Sequence, residues 1–474
     1  MSKKIIIKPV TRIEGHGKVS IQLDEQGNAI NSKFIVEEFR GFEKFCEGRM
    51  LWEMPLITSR ICGICPVSHH LTAVKAIENV LNVQVPPQAE LLRRLMHMAQ
   101  FIHNHALHFF YLSMPDLLFS PDGDPKDRNF FGVMASAPEL AQKAIRLRQI
   151  GQNIVHRVGG RSIHPVTAIP GGMSKPLTHE ERFESSKEID EALALVELAL
   201  DTCKTLFEEH GELLTKLGSV DKNYLGLVKE GSLELYDGML HLVNGNGVLV
   251  KQFAGEDYLD YIDEYSTNDT YSKFPYYKEL NYDKGTYQVG PLARLNIVGQ
   301  VNTPLANKEL QNFKAFAEGY SVNQTMYYHY ARMIELLYAV EHAKQLLDED
   351  AIVSKDVRVS VNRAGGKGSG VIEAPRGTLM HHYQADDTGK IIKADIIVPT
   401  THNNAAINES VNQAARTFIK GGEVAEGLLN RVEMAIRCYD PCLSCSTHQI
   451  GMMPLIINIR SADGELVSSI RRDG

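Results

Sequence analysis

Between residues 5 and 36 apolar and polar positions alternate, as in Val19-Ser20-Ile21-Gln22-Leu23, and Asp24-Glu25-Gln26-Gly27-Asn28 supplies turn residues. A period of two interrupted in this way predicts a strand hairpin. From about 55 to 215 the period lengthens. Leu91, Leu95, Met98, Ile102, His105, Phe109 and Leu112 recur every three or four residues and line one helical face, bracketed by Pro86, Pro87 and Pro115. Further amphipathic stretches at 138–158, 179–216 and 305–348 are each long enough for a bundle helix. Residues 218–300 are instead rich in Tyr, Asp and Gly, and Asp237-Gly238 and Asn244-Gly245 between alternating runs predict small hairpins. Beyond 350 the pattern predicts a glycine-rich loop at 365–370, a strand near 391–398 ending at Pro399, and helices near 404–418 and 423–438.

These elements predict a mostly α (α+β) fold, a central helical bundle with peripheral strands and hairpins. The expected organisation is one composite unit over 1–448: strands in 1–50, helices in 51–217, a mixed β insertion in 218–300, then helices and a second cysteine motif in 301–448. Length alone would allow two or three domains. Apolar residues make up 43% and charged residues 23%, as in an ordinary globular protein with a sizeable core. The net charge of −8 is spread along the chain, so neither nucleic acid nor an anionic membrane is an expected partner. The apolar run at the start is too short for a signal peptide, and no run of eighteen apolar residues occurs.

Seven cysteines change the picture. Cys62 and Cys65 lie within Arg60-Ile61-Cys62-Gly63-Ile64-Cys65-Pro66-Val67-Ser68-His69, and Cys442 and Cys445 within Asp440-Pro441-Cys442-Leu443-Ser444-Cys445-Ser446-Thr447-His448. Four thiolates converging on one point would hold a soft metal, and zinc, iron–sulfur clusters and nickel all accept such a set. The pairs are separated by 376 residues, too far for a zinc ribbon. One shared site, two separate sites or thiol pairs, and plain core cysteines stay open on spacing alone. Cys46, Cys203 and Cys438 read as lone buried thiols.

Other residues have bland and sharp readings. His69 follows Cys65 by four, so a helix starting there would bring its imidazole near a ligating sulfur; a cap or core histidine is the alternative. His97, His105 and His108 share one face within an apolar stripe and read as hydrogen-bonded core histidines or supports of a nearby site. Gly365–Gly370 lacks the Gly-Lys-Ser/Thr ending of a phosphate loop. In Glu373-Ala374-Pro375-Arg376-Gly377 a rigid proline and a permissive glycine would fix Arg376 on a bend, though a surface ion pair is the commoner role. Glu14, in Thr11-Arg12-Ile13-Glu14-Gly15-His16-Gly17, reads by itself as a solvated turn.

Together these stretches resemble the large, catalytic subunit of nickel–iron hydrogenases over essentially the whole chain. Both cysteine motifs of that family appear unbroken, as do Arg12–His16, Phe39–Glu43, Glu373–Gly377 and Val398–Thr401. EFRGFEKFCEGR, RICGICPVSHH, KFPYYKEL, VGPLARLN and EAPRGTLMHHY are most similar to the bidirectional, NAD-linked cytoplasmic subgroup, with NADP-, deazaflavin- or viologen-linked subgroups as alternatives. A respiratory-complex relative would lack the cysteine quartet, and a nickel- or zinc-binding protein would not need Glu14, Arg376 and Thr400.

The resemblance implies that Cys62 and Cys442 bind nickel alone and that Cys65 and Cys445 bridge nickel to an iron carrying carbon monoxide and cyanide. Arg376 and Thr400 would face the cyanides, with Pro375, Leu379 and Pro399 as apolar lining. Glu43 and His448 would help hold a separate magnesium or iron ion. Splitting dihydrogen needs an electrophile for hydride and a base for the proton; the metals are the first, Cys442 or Arg376 the second, and Glu14 the relay. Implied partners are dihydrogen, a small subunit with an iron–sulfur cluster, diaphorase subunits holding flavin, iron–sulfur centres and the NAD site, nickel-insertion chaperones, and an endopeptidase. The last would cut between His448 and Gln449 and release 449–474 as a propeptide. Composition alone reads Met452–Ile457 as an ordinary buried strand.

Overall fold

In the computed structural model of the chain, residues 3–317, 319–362, 364–447, 455–461, 463 and 465–472 are described. Four long helices, Pro87–Leu107, Pro138–Gly159, His179–Glu209 and Tyr327–Asp348, pack on one another as the expected central bundle. Pro87 and Pro138 open the first two at positions where a missing N–H costs nothing. Thr178 and Glu181 close a reciprocal capping box on the third. The hairpin read from alternation is there as well. Gly17–Leu23 and Ala29–Val36 pair antiparallel around Asp24–Asn28, with Lys4–Ile7 as a third strand.

Three of the helical expectations need correction. The 305–348 stretch is two helices, Pro304–Lys314 and Tyr327–Asp348, because the chain between them turns through Gly319 at a φ of 101°. The 91–112 helix is regular only to Leu107 and widens to a π-helical turn over His108–Ser113. The 179–216 stretch breaks at His210, leaving a short second helix, Gly211–Lys216.

The glycine-rich 365–370 stretch is not a loop. Gly366–Ala374 is a strand, paired antiparallel with Gly377–Ala385, which pairs in turn with Ile391–Ile397. A sheet therefore lies inside the 301–448 stretch read as mainly helical. The strand contains glycine because it presses on the backbone of helix Pro66–Leu81: a Cβ on Gly370 would lie 2.4 Å from the Thr72 carbonyl and 2.5 Å from the Ala76 nitrogen. This contact fixes the sheet against the helix that leaves the first cysteine motif. Ala374 pairs with Gly377, so Pro375 and Arg376 form a two-residue turn, with Gly377 at a φ of 139°.

Gly370→Ala should lower the stability of the folded subunit by about 1–3 kcal/mol, because neither backbone can move away from the added methyl group. Urea unfolding measures this, and an unchanged midpoint would contradict the close approach.

Candidate metal centre

The two ends of the chain meet at the edge of this sheet. Cys62 lies in extended backbone after a short turn at Ser59–Ile61, and Cys65 caps the N-terminus of helix Pro66–Leu81, with Pro66 as its first residue. The Ile64 and Cys65 amides donate to the Cys62 sulfur at 3.2 and 3.4 Å.

On the other side, helix Glu426–Cys438 stops and the chain reverses at Asp440, whose φ of 53° is unusual for a residue with a side chain. Arg376 stabilises that reversal: Nε donates to the Asp440 carbonyl at 2.6 Å and Nη2 to its carboxylate at 3.0 Å. The Cys442 amide then donates to Thr400 Oγ1 at 2.8 Å.

Cys62, Cys65, Cys442 and Cys445 are buried, and their sulfurs lie within 4.8 Å of one another. Cys62 and Cys442 are 3.4 Å apart, Cys65 and Cys445 3.8 Å, and Cys442 and Cys445 2.8 Å. Four ligands around one ion with metal–sulfur bonds of about 2.3 Å would be separated by distances of this order. The charges point the same way. Hydrogen bonds from Cys442 and Cys445 pull the Cys62 thiol down, while burial pushes Cys442 and Cys445 up, so protein alone does not ionise all four. A cation among them would.

A small cavity adjoins the sulfurs, bounded by His69, Ala374, Arg376, Leu379, Pro399 and Thr400. Pro375, expected in its lining, lies in the turn, and its carbonyl accepts from Arg294 at 3.1 Å. Arg376 Nη1 is buried with no partner among the described residues. Burial disfavours charge on this guanidinium, but Asp440 and the cysteine sulfurs beside it raise its pKa well above the ordinary arginine value. A donor with no acceptor among the described residues, at a small cavity beside four sulfurs, fits a small anionic or polar ligand on a metal.

Glu14 is partly buried against the second motif. Its carbonyl accepts from the Leu443 amide at 3.0 Å and its carboxylate from the Ser444 amide at 3.0 Å. His69 brings Nε2 to 3.7 Å from the Cys445 sulfur. Glu43, in the short helix Phe42–Cys46, accepts from the Ile396 amide at 2.6 Å. Its expected companion His448 and the His448–Gln449 junction lie outside the described residues. His97 donates to the Glu373 carbonyl, His105 pairs with Glu335, and His108 donates to the Arg437 carbonyl, so all three brace the core. Cys46, Cys203 and Cys438 are buried and free.

Sequence reasoning missed the residues that hold this turn in place. Arg294 is fully buried, grips Glu335 at 2.5 and 2.6 Å, bonds Glu373 at 2.8 Å, and donates to the Ala374 and Pro375 carbonyls. It sits in VGPLARLN, which drew notice only as a subgroup phrase. Asp440 stood inside the second motif with no role attached, and His381 and Tyr383 closed EAPRGTLMHHY unremarked.

Comparison with known proteins agrees with this geometry. A nickel-dependent hydrogenase family model matches residues 40–119 and 236–448, and a HoxL-like model matches 4–39. One chain of the vhu F420-non-reducing hydrogenase of Methanocaldococcus jannaschii is 45% identical over 88% of this chain and 100% of its own length. The NAD-reducing hydrogenase HoxS subunit beta of Cupriavidus necator is 39% identical over 100% of both chains. A crystal structure of an NAD+-reducing [NiFe]-hydrogenase in the H2-reduced state superposes with a TM-score of 0.91 at 42% identity, covering 94% of this chain and 99% of the other. The chain therefore belongs to the nickel-dependent hydrogenase family, as the catalytic large subunit of a hetero-oligomeric nickel–iron hydrogenase.

Proposed function

We propose that Cys62 and Cys442 hold nickel alone, that Cys65 and Cys445 bridge it to an iron carrying carbon monoxide and cyanide, and that the subunit oxidises dihydrogen reversibly for NAD(P). The observation that carries the reading is the buried sulfur quartet beside a cavity where Arg376 Nη1 has no partner among the described residues. When bound, the metals supply the electrophile that polarises dihydrogen and receives its electrons. The protein's residues do the rest. Leu379, Ala374 and Pro399 exclude water, and Arg376 and Thr400 donate toward the diatomic ligands. Because Arg376 is ion-paired with Asp440 and a guanidinium does not readily give up its proton, the proton goes to the Cys442 sulfur. Glu14, bound to the next two amides and partly exposed, passes it outward.

Glu43 and His448 are read as ligands of a separate magnesium or iron ion. In support, the Thr447 carbonyl accepts from the Arg40 and Gly41 amides, which brings the second motif beside the start of the short helix that carries Glu43. Residues 1–448 are read as the working unit and 449–474 as a propeptide cut after His448 by an endopeptidase, once chaperones have delivered nickel.

Electrons leave through a small subunit with an iron–sulfur cluster, since beyond the quartet only three separate buried cysteines remain. Its docking face is read near the first motif, where Gly63, next in the chain to buried Cys62, is exposed; Phe39, Phe45, Trp52 and Leu56, in the stretch just before the motif, are about half exposed. The likeness to an NAD-reducing hydrogenase supports diaphorase partners with flavin and further clusters, and with them a cytoplasmic setting. The F420-non-reducing relatives support a different acceptor on the same catalytic subunit.

The purified complex should contain nickel, with iron in excess of it because the partner subunits' clusters add their own, and show infrared bands of metal-bound carbon monoxide and cyanide, and Cys445→Ser should lose the bands and hydrogen uptake together. Zinc alone in the active complex sinks the reading. Glu14→Gln should keep the metals and bands while slowing hydrogen oxidation by about 10²–10⁴-fold; an undiminished rate removes Glu14 from the proton route. Native and intact-mass spectra should show a hetero-oligomer whose large subunit ends at His448. A stable active monomer, or an active subunit still carrying its tail, contradicts that part of the proposal.

A further inference from the structure

Behind the bridging sulfur runs a line of buried polar groups that the reaction described above does not use. His69 Nε2 lies 3.7 Å from the Cys445 sulfur, and His69 Nδ1 lies 3.2 Å from His381 Nε2. His381 Nδ1 in turn lies 2.7 Å from the Tyr383 hydroxyl. His69 sits on helix Pro66–Leu81, four residues after Cys65. His381 and Tyr383 are two apart on strand Gly377–Ala385 and share the face that packs on that helix. All three side chains are at most 1% exposed, so water does not compete for these bonds.

We propose that Tyr383, His381 and His69 form a one-way hydrogen-bond chain that ends on the Cys445 sulfur and limits how much electron density it gives the metals. The inference rests on the reading of Cys445 as a metal-bound thiolate. Such a sulfur carries no proton, so only an N–H from His69 Nε2 is attracted to it. His69 Nδ1 is then the acceptor and His381 Nε2 the donor, which leaves His381 Nδ1 to accept from the Tyr383 hydroxyl. Each assignment forces the next, and the direction is set at the sulfur end. Burial raises the Tyr383 pKa well above its ordinary value, so the far end keeps its proton to give. In such a line each bond polarises the next, and Tyr383 strengthens the donor that reaches Cys445 although it never touches it. His381 and Tyr383 are thus positioning residues. Outer partners of metal ligands tune the bound metal in this way, here weakening the sulfur's donation rather than strengthening it.

Neutron diffraction from the assembled, deuterated complex tests the chain without reference to activity. Deuterons are expected on His69 Nε2, His381 Nε2 and the Tyr383 oxygen pointing at His381. A deuteron on His69 Nδ1, alone or in addition, reverses or breaks the chain and overturns the proposal. Infrared spectroscopy tests its effect. Tyr383→Phe should move the iron-bound carbon monoxide band to lower frequency, because a less restrained sulfur makes the iron richer in electrons. His381→Gln, which keeps an N–H donor, should stay near the parent, whereas His381→Leu should shift further than Tyr383→Phe. Tyr338→Phe removes the hydroxyl of another buried tyrosine, outside the chain, and should leave the band in place. A Tyr383→Phe shift no larger than the Tyr338→Phe shift overturns the tuning role. If the parent complex shows no such bands, the diatomic-ligand assignment has failed, and the neutron positions alone decide the inference.

Discussion

Everything at the centre depends on one constraint, that two short loops from opposite ends of a long chain hold their sulfurs in contact inside a dry protein. Four unpaired thiolates could not be packed there, because burying like charges without a counter-ion costs far more than apolar contacts return. The protein meets the constraint with directed polar bonds. Arg376 grips the backbone reversal at Asp440, Thr400 receives the Cys442 amide, and Glu14 receives the two amides that follow. Apolar packing could bring the loops near each other, but only directed bonds fix them to a fraction of an ångström.

The same logic continues one layer out. Arg294 has no exposed surface and spends its donors on Glu335, Glu373 and two carbonyls of the turn that presents Arg376. Replacing buried ion pairs by apolar residues is often neutral or stabilising, so such a network is poorly explained as a source of stability. Its geometry suits a different task. It holds Arg376 in one orientation before any ligand arrives, so that no reorganisation is needed when the site is filled.

How much of this was legible in the sequence depended on the range of the signal. The cysteine motifs, the bundle helices and the N-terminal hairpin are local patterns, and periodicity or spacing located each of them, though not the breaks within three of the helical stretches. The glycines at 366–370 misled because glycine marks either a turn or a close approach, and only the partner helix, almost 300 residues away in sequence, decides which. The break at Gly319 was hidden by apolar residues on both sides that keep a helical period. Arg294, Asp440, His381 and Tyr383 carry no spacing signal; their meaning lies in what they touch, which for His381 is His69, 312 residues away. Arg376 showed the opposite pattern, since its bend was readable and its burial was not.

The bonds between Glu14 and Ser444 join residues 430 positions apart, and those from Thr11 to Glu433 span 422. A ribosome delivers the two ends in strict order. The first strands and the first cysteine pair must therefore wait, incompletely partnered, until the second motif has emerged. No complete four-sulfur nest can form before Cys445 has emerged, so loading of a metal on all four sulfurs is bound by topology to follow synthesis of the second motif, and any factor that escorts the subunit has a defined interval in which to act.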